Sequence, residues 1–104
     1  MIRGTVVNIA GTDYTVPPFK MGLWERFDAL VAQFRAAEDK SVPAMVATFA
    51  PLLVDNLRRN YPEFTLDAGE WEFPTFTEVR DACLVTSLPA NPPQAPANPS
   101  TGAA

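Results

Sequence analysis

The chain has 104 residues, with 12 acidic and 8 basic residues, a net charge of −4 and no histidine. This length suits one small domain. The negative charge and the scattered basic residues argue against binding to nucleic acid or to an anionic membrane surface. The missing histidine removes the commonest general base and the commonest transition-metal ligand. A single cysteine, Cys83, cannot form an intramolecular disulfide, and together with the lack of a signal-peptide pattern at the N-terminus it predicts a reducing, cytoplasmic location.

The N-terminal residues have the pattern of a β-hairpin. Residues 2–9 are rich in β-branched side chains, and residues 13–16 alternate polar with apolar side chains. Gly11 between them can adopt the positive φ of a short loop, and the two prolines that follow cannot donate to a further ladder. We predict a hairpin over residues 2–16, with one face packed on the helices or on another molecule, because two strands alone are unstable in water.

The next segment is predicted to be an amphipathic helix over residues 21–39. Its apolar residues recur at steps of three and four: Leu23, Trp24, Phe27, Leu30, Val31 and Phe34. The opposite face is charged and would be solvated. We interpret the aromatic stripe mainly as core packing, with a partner groove as the alternative.

A second helix is predicted over residues 42–60. Ser41 is a suitable N-cap and Pro43 is tolerated in the first turn. Pro51 lies inside the pattern and should either kink the helix or divide it into two abutting helices. Apolar positions occur on more than one face, so this element should be central in the bundle.

The end of the second helix is fixed by a proline. Pro62 lacks an N–H and disfavours the α region at Tyr61, so the helix should end near Asn60. Arg58 and Arg59 then lie exposed in its last turn, where cations interact favourably with unsatisfied carbonyl groups.

The acidic connector over residues 65–74 supplies the main candidates for binding a partner. We expect one short helical turn in it, followed by Trp71 and Phe73 in a stretch too short to bury both. An exposed aromatic pair with Glu70 and Glu72 around it would resemble an interface hot spot. The alternative is that Trp71 covers one end of the bundle. The candidate partner-binding residues are therefore Arg58, Arg59, Glu70, Glu72, Trp71 and Phe73.

A last helix is predicted over residues 75–88, because Thr75 and Glu78 have capping-box spacing. Its expected core residues are Phe76, Val79, Ala82, Cys83 and Leu88. Residues 89–104 contain five prolines, no charge and no large apolar group, so we predict a disordered tail. The expected class is α+β and mainly α, with a hairpin, a bundle of three to four helices and this tail.

The sequence contains no catalytic or cofactor-binding motif that we recognise. Phosphate-binding glycine loops, GxSxG and CxxC are absent. Cys83 has no histidine to activate it. Asp67 and Glu70 stand three residues apart, and a solvated acidic face is a better reading than a Mg²⁺ or Ca²⁺ site. We predict a non-enzymatic protein with no catalytic, cofactor or metal site; a small enzyme or metal protein using acidic residues is the weaker alternative.

Two stretches carry a family resemblance. The helix end Arg58-Arg59-Asn60-Tyr61-Pro62-Glu63-Phe64-Thr65, preceded by Tyr14-Thr15-Val16-Pro17-Pro18-Phe19, resembles the tail assembly chaperones of long-tailed bacteriophages and prophages. The order and spacing match over most of residues 2–88. After Thr65 the chain departs from the pattern, because family members usually continue into an acidic, leucine-rich helix.

The resemblance implies a protein of the bacterial host cytoplasm that binds the tape measure protein. It would keep that long helical rod soluble and help recruit tail tube protein subunits, without a cofactor. Self-association is also open. The alternative is a structural virion, tail-completion or adaptor protein, which would persist in the mature particle.

Overall fold

A computed structural model describes residues 1–86 of the protein. The described chain is a two-stranded antiparallel hairpin followed by three α-helices, which confirms the predicted α+β, mainly helical class. The elements are β1 (Thr5–Ile9), β2 (Thr12–Val16), α1 (Met21–Ala36), α2 (Val42–Leu57), a 3₁₀ turn (Ala68–Glu70) and α3 (Phe73–Cys83). The predicted tail, 89–104, lies outside the described residues, as does Leu88.

The hairpin closes through a two-residue loop. Ala10 and Gly11 both have positive φ, 53° and 89°, as a type I′ turn requires. The positive φ predicted for Gly11 is therefore confirmed, whereas Ala10 also adopts a conformation that alanine rarely takes. The Asn8 side chain supports the loop: its Nδ2 donates to Asp13 Oδ1 at 2.9 Å, and its Oδ1 accepts from Gly11 N–H at 3.1 Å.

The first strand begins at Thr5, three residues later than predicted. The preceding segment lies so close to β2 that a Cβ on Gly4 would be 1.9 Å from Val16 O. Ile2 pairs instead with a side chain: its N–H donates to Asn60 Oδ1 at 2.7 Å, and Asn60 Nδ2 donates to Ile2 O at 2.8 Å. The end of α2 thus holds the N-terminus in place.

Helix α2 is the central element, as predicted. It contacts α1, α3, β2 and the 3₁₀ turn. Its buried residues are Val46, Phe49, Ala50, Leu52, Leu53, Val54, Asn56 and Leu57. Ser41 caps it by accepting from Ala44 N–H at 3.3 Å, and the helix continues through Pro51 without interruption. Division into two helices near Pro51 is therefore wrong. The helix ends at Leu57, and residues 58–60 form a turn instead of the predicted last helical turn.

Helix α1 ends at Ala36, three residues before the predicted end. Ala37 is already extended, and Asp39 accepts a hydrogen bond from Ser41 N–H, which begins the next helix. Of the apolar stripe only Leu23 is fully buried; Trp24, Phe27, Leu30, Val31 and Phe34 are half-buried and pack against the core. The stripe therefore packs as predicted but keeps part of its surface in solvent.

Helix α3 begins two residues before the predicted start. Pro74 stands in its first turn, where a proline without an N–H costs nothing, so Pro74 lies inside the helix that it was expected to precede. The capping box predicted at Thr75 and Glu78 is wrong. A capping box forms instead at Asp67 and Glu70, around the 3₁₀ turn. The predicted core residues within the described range are all buried: Phe76, Val79, Ala82 and Cys83.

A buried asparagine joins three parts of the fold. Asn56 on α2 is fully buried; its Nδ2 donates to Pro17 O at 2.7 Å and to Cys83 Sγ at 3.1 Å. Its Oδ1 accepts from Arg59 Nη1 at 2.8 Å. Every polar atom of the side chain is thereby used, which a buried amide requires.

Candidate partner-binding groove

The structure separates the two aromatic residues that were predicted to be exposed together. Trp71 is only 8% exposed and contacts Phe76 edge-on at a centroid distance of 6.1 Å, whereas Phe73 is 40% exposed and stacks on Phe76. The prediction of an exposed Trp71 is wrong, because its ring is buried against Phe76. The reason is that α3 starts early enough for Phe76 to provide a surface against which Trp71 packs.

An open apolar groove lies where the start of α2 meets the connector. Its volume is about 390 Å³, and its principal lining residues are Val42, Pro43, Val46, Ala47, Trp71 and Phe73. Val42 is 47% exposed, and with Phe73 it is among the few large apolar side chains that the described chain leaves in solvent. The buried Trp71 supplies one wall of the groove.

Trp71 also carries a polar atom without a partner. Its Nε1 is buried, and no hydrogen-bond acceptor reaches it within residues 1–86. A buried donor left unpaired costs about 1–3 kcal/mol. The indole ring of Trp71 is therefore held by packing, without a side-chain hydrogen bond of its own.

The predicted acidic rim does not surround the groove. Glu70 and Glu72 line a smaller pocket of about 100 Å³, which meets the groove only through Trp71. Glu70 is also engaged locally, because its Oε1 accepts from Asp67 N–H at 3.3 Å. Both carboxylates remain exposed near the groove but do not frame it.

Arg58 and Arg59 lie at the other end of α2. Helical rise over the length of α2 places them roughly 24 Å from the start of the helix, so they cannot share a site with the groove. Arg58 Nε donates to Phe64 O at 2.8 Å. Arg59 is half-buried and donates to Pro18 O at 2.9 Å. The expectation that both are simply exposed is wrong for Arg59, which ties α2 to the segment after the hairpin.

Sequence reasoning missed the α2 side of the groove. The helix predicted over residues 42–60 was expected to be central in the bundle, yet only Val46 is buried among its groove residues Val42, Pro43, Val46 and Ala47. The available signal was the spread of apolar positions over more than one face of α2. That pattern shows that some apolar side chain must be left over, but not which one faces solvent.

Cys83 has the environment of a side chain in a packed core. Burial raises the pKa of Cys83 from 9.0 to about 12, against the opposing effects of the Asn56 hydrogen bond and the Arg59 charge.

Within residues 1–86, no group of three or more cysteine or acidic side chains is arranged to hold a metal ion. None of the helices described is both long enough and apolar enough to cross a membrane.

No protein-family model matches this sequence, and no curated protein or solved structure is significantly similar to it.

Proposed function

We propose that the protein is a phage tail assembly chaperone that holds a helical segment of the tape measure protein in the groove between Val42 and Phe73. The observation that carries the proposal is the groove itself, which leaves two large apolar side chains in solvent beside the buried Trp71. Large exposed apolar residues around a formed groove are typical of protein-binding sites.

The apolar lining of the groove suits the apolar face of an amphipathic helix. Such a helix binds by inserting apolar side chains at positions i, i+3 and i+4 into a hydrophobic groove. The groove is small, so each contact would be weak, and a long rod would be held by many copies of the chaperone. Weak individual contacts would also let tail tube subunits displace the chaperone, which the family resemblance implies.

The proposal is tested by co-expression with the tape measure protein of the same genome, followed by pull-down and measurement of the soluble tape measure fraction. The double variant Val42→Ser with Phe73→Ser removes both exposed apolar groups. We expect it to weaken binding by about 30-fold, since loss of an interface anchor typically costs about 2 kcal/mol or more. Met21→Ser is the matched control, because Met21 is 74% exposed and lies at the start of α1.

Trp71 provides a direct optical readout of the same site. The chain has two tryptophans, so a Trp24→Phe background leaves Trp71 as the single emitter. Its emission should shift when a tape measure peptide fills the groove. A folded double serine variant that still solubilises the partner would remove the groove from the proposal. Failure of the unmodified protein to retain the tape measure protein would overturn the chaperone role, and its presence in mature particles would favour a structural virion protein.

A further inference from the structure

The two outer edges of the hairpin are treated differently by the fold. On β2, Thr15 N–H donates to Tyr61 Oη at 2.7 Å, and Asn60 Nδ2 donates to Thr15 O at 3.0 Å. Both polar backbone groups of Thr15 therefore point away from β1 and are satisfied by side chains after α2. This side of the hairpin is closed to a further strand.

The opposite edge, on β1, is open. Val6 is paired directly opposite Thr15. In an antiparallel pair, two residues directly opposite either exchange both hydrogen bonds or both point outward. The N–H and C=O of Val6 therefore point outward, and those of Asn8, two residues further, do the same. Within residues 1–86 these backbone groups have no hydrogen-bond partner.

This edge also lacks the usual protections. Exposed edges are commonly blunted by lysine, proline or a bulge. The β1 sequence, TVVNI, contains neither lysine nor proline, and its register with β2 is continuous from Thr5 to Ile9. Val6 is 62% exposed. The edge is therefore suited to accept a strand.

A groove along this edge indicates which side chains a bound strand would need. Its volume is about 360 Å³, and it lies between β1 and one stripe of α3 and the residues just after it: Val6, Val7, Glu78, Asp81, Ala82 and Val85. The half-buried Val85 offers an apolar surface, and Ala82, although buried, also lines the groove. Asp81 is paired with Arg80 at 3.1 Å, whereas Glu78 has no ion pair within the described chain.

We propose that the β1 edge binds an extended segment of another protein as a third strand, with an apolar side chain against Val85 and a lysine or arginine beside Glu78. Main-chain hydrogen bonds to Val6 and Asn8 supply affinity, and the two side chains supply specificity. This surface shares no residue with the groove at Trp71 and does not depend on the function proposed for that groove.

The charge of the groove argues against two other occupants. A second copy pairing through β1 would bring its own Glu78 and Asp81 toward the same groove, where like charges repel. The chain after residue 86 has no lysine or arginine, and its five prolines lack the N–H that a ladder needs. A segment from a different protein that carries a basic and an apolar side chain avoids the like-charge repulsion and keeps its backbone N–H groups for the ladder.

The test uses a peptide with capped ends that contains one valine and one lysine at positions i and i+2. The remaining positions are threonine. It is titrated into the ¹⁵N-labelled full chain, and amide shifts are followed. We expect shifts at Val6, Asn8 and α3. Two further peptides should bind at least about tenfold more weakly: one with glutamate for lysine, and one N-methylated on the amides that face β1.

Two variants locate the binding on the protein. Glu78→Lys should weaken binding of the valine-lysine peptide about tenfold, whereas Glu25→Lys, an exposed reversal on α1, should not. Val6→Pro removes the outward N–H without removing a bond to β2, and it should also weaken binding about tenfold. If this variant does not fold, the comparison of Glu78→Lys with Glu25→Lys and the comparison of the peptides test the proposal. Equal binding of the N-methylated or acidic peptide, or unchanged binding to Glu78→Lys, overturns the proposal. Concentration-dependent shifts of Val6 and Asn8 without peptide would also overturn it, because a second copy would then be the occupant.

Discussion

At the scale of single residues, Asn56 connects three parts of the fold. It is a polar side chain in a fully buried position, and it links the segment after β2 with α3 and with Arg59. Removing such a group leaves its partners buried without a hydrogen bond, which costs more than the bond itself contributes.

Asn56→Ala is expected to lower the free energy of unfolding by about 2–4 kcal/mol, because it leaves Pro17 O unpaired and creates a cavity. Urea unfolding measures the change. Asn56→Leu refills the volume but not the hydrogen bonds, so it should remain destabilised. Gln33→Ala, on the exposed face of α1, is the control and should change stability by less than about 0.5 kcal/mol. Full stability of Asn56→Leu would mean that packing alone matters at this position.

Cys83 gives the fold a dependence on alkaline pH. Burial raises its pKa from 9.0 to about 12 in the folded protein, whereas the unfolded thiol ionises near its ordinary value. The contribution of the protonated Cys83 thiol to stability is therefore complete below pH 9 and is lost as pH rises from 9 toward 12. Cys83→Ser should show a smaller decline over this range in thermal melts, and the native thiol should not react with a disulfide reagent at pH 8. Rapid labelling of the folded protein would contradict the burial argument.

At the scale of elements, α2 tolerates a proline that its sequence position should not allow. Pro51 has no N–H to donate to Ala47 O, yet the helix runs from Val42 to Leu57. Its burial against α1, α3 and the hairpin side offsets the missing bond. Tertiary packing thus overrides a local rule that would divide the helix.

Pro51→Ala should raise the free energy of unfolding by about 1–3 kcal/mol, because the alanine restores one helical hydrogen bond and Pro51 is exposed. Pro43→Ala is the matched control. Pro43 lies in the first turn, where no such bond is missing, so its replacement should change stability by less than about 0.5 kcal/mol. Chemical denaturation of both variants decides the point. Loss of stability in Pro51→Ala would show that the proline shapes the helix favourably.

At the scale of the whole molecule, the helices differ in how many other elements they contact. Among the described elements α1 contacts only α2, whereas α2 and α3 each contact several others. Its stripe is half-buried, and the ion pair that joins it to α2, Arg26 with Asp55 at 3.0 Å, is exposed on both sides. Such a pair contributes at most about 1 kcal/mol.

Helix α1 is therefore expected to open before the rest of the protein. In native-state hydrogen exchange, its amides should exchange at opening free energies at least about 1 kcal/mol below those of α2. The amides of α3 provide the internal control, since that helix packs on the hairpin and on α2. Equal protection of α1 and α2 would show that the chain opens as one unit.

The sequence by itself determined the local elements of this protein. Hydrophobic spacing predicted the three helices, Gly11 predicted the hairpin loop, and Ser41 predicted the start of α2, because each depends on neighbours a few residues away. The structure alone decided that Trp71 is buried, that Pro74 lies inside a helix, and that Arg59 joins distant segments. It also decided which apolar side chains line the groove and which edge of the hairpin stays open. Apart from the start of α3, these features depend on contacts between residues far apart in the chain, which no local pattern encodes.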